Sequence, residues 1–133
     1  MHIHDVNTPA ALALVRGTDE ALLMSSLAEF ETVNAFSLRV FRNEMLTINR
    51  DNAVRDLDDD VEDGILTLVA VPESAFARAK VLAQTLTPTI GVRALNLLHV
   101  AAALELGVNA LYTFDQKQHQ TAQAAGLKVN ISP

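Results

Sequence analysis

The sequence predicts an α/β domain with a mainly parallel sheet. Short apolar runs alternate along the chain with longer segments patterned as helices. The apolar runs are continuous rather than alternating, as in strands covered on both faces. The chain has 133 residues, 50% hydrophobic and 20% charged, which suits one folded domain and excludes a predominantly disordered chain.

Asn7-Thr8-Pro9 reads as a helix start, a polar cap followed by proline in the first turn. Ala10, Leu12, Ala13 and Val15 carry that run until Gly17 stops it. Ala21-Leu22-Leu23-Met24 is too short for a helix and reads as a buried strand. A long helix is expected from Leu27 to about Met45, and a more polar one from about Asn49 to Glu62, ended by Gly64. Ile65 to Val69 is the next strand, and Pro72-Glu73-Ser74 opens a helix lasting to about Leu86. Thr87 to Gly91 reads as a loop. Arg93 to Leu106 is apolar on nearly every side, the mark of a buried helix, and Gly107 closes it. Leu111 to Phe114 is a strand, Asp115 to Ala125 a helix ended by Gly126, and Lys128 to Ile131 a last strand. The expected organisation is one domain over residues 1–133, with residues 1–6 as a flexible tail.

Composition narrows the function classes. Cysteine is absent, so there is no disulfide framework, thiolate zinc site or cysteine nucleophile. The formal net charge of -6 excludes a globally basic coat for nucleic acid, though not a local basic patch. No apolar stretch approaches the about 20 residues of a membrane helix. Met1-His2-Ile3-His4-Asp5 lacks the basic and apolar regions of a signal peptide, so a soluble, cytoplasmic domain without membrane contact is expected.

In a parallel α/β sheet, chemistry gathers beyond the carboxyl ends of the strands. Polar residues where the pattern asks for apolar ones are the candidates. Glu31 is the first. It shares a helical stripe with Leu27, Ala35 and Leu38, little more than one turn after a strand end. A carboxylate there needs a cation, a metal or good donors, so it reads either as a site residue or as an ion-paired or exposed glutamate. Asn96 is the second, with His99 one turn later on the same side of the apolar helix. It reads as a site residue or as a buried amide capping a backbone group with His99 as partner. Asp115 is the third, directly after a strand, where it reads as an N-cap or as a metal-binding carboxylate.

Other patterns are weaker. His2-Ile3-His4-Asp5 resembles a metal-ligand triplet but sits at a fraying terminus. The acids from Asp56 to Asp63 lack the glycine and terminal glutamate of a calcium loop and read as a solvated helix face. Arg39, Arg42 and Arg50 could form a small basic patch. No glycine-rich phosphate loop, G-x-S-x-G or H-E-x-x-H is present.

Together these positions resemble the PIN domain of bacterial and archaeal type II toxins, the VapC-like nucleases. Glu31-Thr32-Val33-Asn34-Ala35-Phe36 looks like that family's Glu-x-x-Asn-Ala-Leu motif. Arg93 through Ala103, containing Asn96 and His99, looks like its Arg-Ala-x-Asp-x-x-His-x-Ala-x-Ala helix. Tyr112-Thr113-Phe114-Asp115 and Ala122-x-x-Ala125-Gly126-Leu127 look like its last strand, aspartate and closing helix. The resemblance covers about residues 7 to 131. It implies a three-layer PIN-like fold and a carboxylate cluster holding Mg²⁺ or Mn²⁺, which activates water to cut RNA. Glu31, Asp115 and Asn96 would then be the metal-binding and catalytic residues. It also implies a cognate antitoxin and a homodimer as partners.

Two departures accompany the resemblance. The family's opening strand and its Asp-Thr-Ser type motif have no counterpart here, and Asp5 lies too close to Thr8 to replace that aspartate. The fold is therefore expected to lack the family's first, central strand, leaving two strands to pair across the gap or each to expose an inner edge. A misassigned start codon, a natural fragment or pseudogene product, and a rebuilt fold all fit this. The second departure is Asn96 where the family has aspartate. Two functions follow, an Mg²⁺-dependent endoribonuclease with an incomplete acidic site, or a catalytically inactive module that binds an antitoxin or dimerises. A receiver-like or Rossmann-like ligand domain is a third class, without a glycine-rich loop or an acidic pair to support it.

Overall fold

The computed structural model describes residues 14–16, 22–113 and 115–129. Along them run β1 (Leu14–Arg16), β2 (Leu22–Ser25), α1 (Ser26–Phe41), α2 (Thr47–Glu62), β3 (Thr67–Val69) and α3 (Ser74–Thr85). Then follow α4 (Thr87–Ile90), α5 (Ala94–Leu106), β4 (Ala110–Tyr112), α6 (Gln116–Ala124) and β5 (Lys128–Val129). After β2 each strand is separated from the next by one or more helices, and the chain forms the α/β class its pattern predicts.

The sheet has the order β3-β2-β1-β4-β5. β2 pairs with β3 and β4 with β5, both in parallel, so these outer pairs follow the strand–helix–strand logic of the sequence. β1 lies between β2 and β4 and is antiparallel to both. Val15 faces Leu23 on one side and Leu111 on the other. All strands except β1 therefore run in one direction, and the sheet is mostly parallel.

β1 overturns two expectations. Leu14–Arg16 is strand, not the continuation of a helix begun at Asn7. Short apolar runs carry no decisive period, and here the slot between β2 and β4 decides: Leu14 and Val15 are both buried in it. The expected gap at the sheet centre is also absent, because β1 occupies it and pairs with both neighbours. Asn7 to Ala13, the triplet His2-Ile3-His4 with Asp5, and the expected tail lie outside the described residues.

α5 is the core helix. Its Val100, Ala101 and Ala103 are fully buried, and it packs on α3 and α6. Its inner face meets Val15 of β1, Leu23 of β2 and Leu111 of β4, leaving a void of only about 10 Å³. That is about the room of one water, so α5 and the sheet centre fit closely. Small residues at 101, 102 and 103 permit this approach. Gly107, in the left-handed region at φ 68, ends the helix and turns the chain into β4.

α1 starts at the strand end because Ser25 caps it, its side chain accepting from the Ala28 N–H at 3.0 Å. The buried stripe of α1 is Ala28, Thr32 and Phe36, with the Thr32 hydroxyl donating to the Ala28 carbonyl at 2.7 Å. This corrects the expected stripe through Leu27, Glu31, Ala35 and Leu38. Glu31 and Ala35 are half-buried at its flank and Leu38 is exposed.

Asp58, Asp59, Glu62 and Asp63 form the solvated face expected of α2, but Asp60 is buried. The chain reverses at Gly64, and Ile65 and Leu66 both donate to the Asp60 carbonyl, drawing that residue inward. The segment expected as a loop at Thr87 contains the single turn α4, closed by Gly91 at φ 72. Among the described residues, no helix is long and apolar enough to cross a membrane.

Candidate functional site

β2 runs straight into α1, which sets Glu31 in the second turn after a strand's carboxyl end. β4 ends at Tyr112, and Asp115 begins the turn into α6 just beyond. α5 leads into β4 from the opposite direction, so its first turn returns to this same end of the sheet. These elements enclose an open cleft of about 650 Å³ lined by Glu31, Arg93, Ala94, Leu95, Asn96, Asp115 and Lys117. Glu31, Asn96 and Asp115, far apart in sequence, thus border one space.

Each of the three is held in a particular way. Nε2 of His99 bonds Oε1 of Glu31, and His99 is 4% exposed against 16% for the glutamate. This pair joins α1 to α5 and corrects the expectation that His99 partners Asn96. Asn96 is half-buried at the cleft wall, and its backbone carbonyl accepts from Nε2 of buried Gln118 at 2.9 Å. Asp115 is the N-cap its position allowed, and it also borders the cleft. Its Oδ1 accepts from the Gln118 N–H at 2.8 Å at the start of α6. Its own N–H donates to Oγ1 of Thr113 at 3.0 Å, which fixes the turn out of β4.

Two cations border the same cleft. Arg93 occupies the N-cap position of α5 and makes no side-chain cap. Lys117 stands in the first turn of α6, its Nζ donating to the Gly91 carbonyl at 3.4 Å. Neither forms an ion pair with Glu31 or Asp115 among the described residues. The cleft therefore sets two carboxylates against two cations, with His99 behind one carboxylate.

That donor set does not make the metal centre the resemblance implies. Among the described residues no group of three or more His, Asp or Glu side chains is placed to hold an ion. Glu31 is engaged by His99, Asp115 caps a helix, and Asn96 offers a neutral oxygen without charge. A hard divalent cation wants several oxygen ligands, and negative ones among them.

The cleft's polar residues are legible in the sequence, but their partners are not. His99 lies in the helix motif, and its partner is Glu31 on α1 rather than Asn96 one turn away. Arg93 carried a signal only as the first residue of that motif. Lys117 carried none, because a lysine in a helix's first turn is an ordinary surface residue. Arg50, a candidate for the basic patch, is paired with Asp51 at 2.9 Å. No family model matches the chain, and no curated protein does.

Proposed function

We propose that this chain is a PIN-like domain of the VapC-like toxin class, with RNA phosphodiesters as its substrate and a weakened capacity to hydrolyse them. The observation that supports this reading most is the meeting of Glu31, Asn96 and Asp115 in one cleft beyond the carboxyl ends of β2 and β4. These are the positions at which the resemblance places its carboxylates. Here two are acids and the third is an amide. Clustered acids stay ionised together when a cation sits among them, and with one replaced by Asn96 that demand for Mg²⁺ or Mn²⁺ is reduced. Hydrolysis is weakened for this reason, while the walls that receive the substrate remain.

The test is RNA cleavage with Mg²⁺ or Mn²⁺ by the wild type and by Asn96→Asp. Asn96→Asp is expected to gain divalent-dependent cleavage that Glu31→Gln in the same chain abolishes. If neither chain has cleavage that Glu31→Gln removes, the nuclease reading fails.

A second reading, a catalytically silent module for an antitoxin or a second copy, draws on α1. Phe30, Leu38 and Phe41 share one exposed face there, with Phe41 83% exposed. Co-purification with a neighbouring small antitoxin, without metal binding, would favour it. Monomeric behaviour without a partner would count against it.

A further inference from the structure

We propose that the cleft binds a phosphate group directly, without a divalent cation between protein and ligand. This names the ligand chemistry of the cleft described above and rests on the proposed function only for the choice of that cleft.

The disagreement between the cleft and a metal centre leads here. Both carboxylates already have protein donors, Glu31 from His99 and Asp115 from the Gln118 N–H. The two cations do not have carboxylate partners among the described residues. Arg93 and Lys117 come from different helices and border the same 650 Å³ space, which is ample for a nucleotide. The guanidinium offers a planar fork of donors that suits phosphate oxygens, and the ammonium adds a compact charge. The Gly91 carbonyl takes one proton of Lys117 and leaves the others for a ligand.

The backbone adds to this in one place. Asp115 caps α6, whereas α5 has no side-chain cap, and its first residues Ala94, Leu95 and Asn96 line the cleft. Their N–H groups have no partner within the helix and favour an anion. Asn96 is the residue that sets the preference. Its amide carries no charge to repel phosphate and can donate a hydrogen bond to it, while an aspartate there would add a repelling charge and could only accept.

The test uses the whole chain, ¹⁵N-labelled, in EDTA. The probes are inorganic phosphate, a mononucleotide 5′-monophosphate and an unphosphorylated dinucleotide. Saturable shifts are expected at the amides of Ala94, Leu95, Asn96 and Lys117, unchanged when Mg²⁺ replaces the chelator. The variant Arg93→Ala/Lys117→Ala should weaken binding about tenfold or more, the loss of two charge-assisted contacts. Both side chains are exposed, so it should keep a dispersed spectrum. Asn96→Asp should weaken phosphate binding as well. Dinucleotide binding would identify a diester as the ligand, and mononucleotide binding alone a terminal phosphate; either supports the proposal. Absence of saturable shifts in EDTA, binding that appears only with Mg²⁺, or binding that survives the double substitution would overturn it. The outcome is separate from cleavage. Failure of Asn96→Asp to cut RNA leaves phosphate capture standing, and failure of phosphate capture leaves the cleavage experiment to be read by itself.

Discussion

Two regions of this molecule collect carboxylates, and they do so differently. On α2, Asp58, Asp59, Glu62 and Asp63 are exposed at a helix end, each free to keep its own hydration. At the cleft there are two acids among the described residues, but Glu31 is tied to a buried histidine on another helix and Asp115 to the first turn of α6. Two cations face them across the same space. Acidity by count points to α2, whereas acidity under structural constraint points to the cleft. A site is made by converging elements and by desolvation, and α2 has neither around its exposed acids.

Substitutions can break or sharpen that contrast. The largest effect is expected for Asn96→Asp in divalent-dependent RNA cleavage, because it adds a charge where two carboxylates already converge. Asp58→Asn with Asp59→Asn should leave the same assay unchanged. Next is stability, read by urea unfolding. His99→Ala removes a buried side chain and strands the Glu31 carboxylate, which should cost about 2–4 kcal/mol. The α2 pair should stay within about 0.5 kcal/mol of wild type. Asp115→Ala should be milder, about 1 kcal/mol for a lost N-cap, and Ser25→Ala at the start of α1 should cost a similar amount.

The smallest effect concerns Glu105, away from the cleft on α5. A side-chain hydrogen bond from Ser74 is the main cause holding its carboxyl below the usual 4.5, and Arg78 adds to it, donating at 2.9 Å. A carboxylate whose folded value is depressed stabilises the fold above its unfolded value, and that contribution is lost as pH falls through the folded value. Ser74→Ala should therefore lower stability slightly near neutrality, with the difference from wild type shrinking as pH falls below about 4.5. A difference that stays the same down to low pH would mean that the hydrogen bond acts through packing instead.

The contrast also explains what could be read from the sequence. Several helices announced themselves where their ends are chemically marked. Ser25 and Asp115 cap two starts, and Gly107 and Gly126 adopt positive φ where two runs end. Glu31, Asn96 and Asp115 were visible as polar residues in apolar or strand-end settings. β1 was not visible, since three residues have no period and their fate is set by the slot between β2 and β4. Nor was the buried position of Asp60, which follows from a chain reversal several residues later. The Glu31–His99 pair spans 68 positions of sequence, and only the approach of these two side chains in the folded chain could reveal it. Lys117 needed the same knowledge, because nothing local separates it from any other surface lysine.

Paramagnetic broadening by Mn²⁺, read amide by amide on ¹⁵N-labelled protein, tests most directly whether the cleft rather than α2 is the place where this chain's acids can act. The wild type should have little specific broadening in either region. Asn96→Asp should broaden the amides around 31, 96 and 115 at low Mn²⁺, and Glu31→Gln in that chain should remove the effect. Broadening that centres on residues 58–63, or an Asn96→Asp cleft that stays silent, would contradict the account.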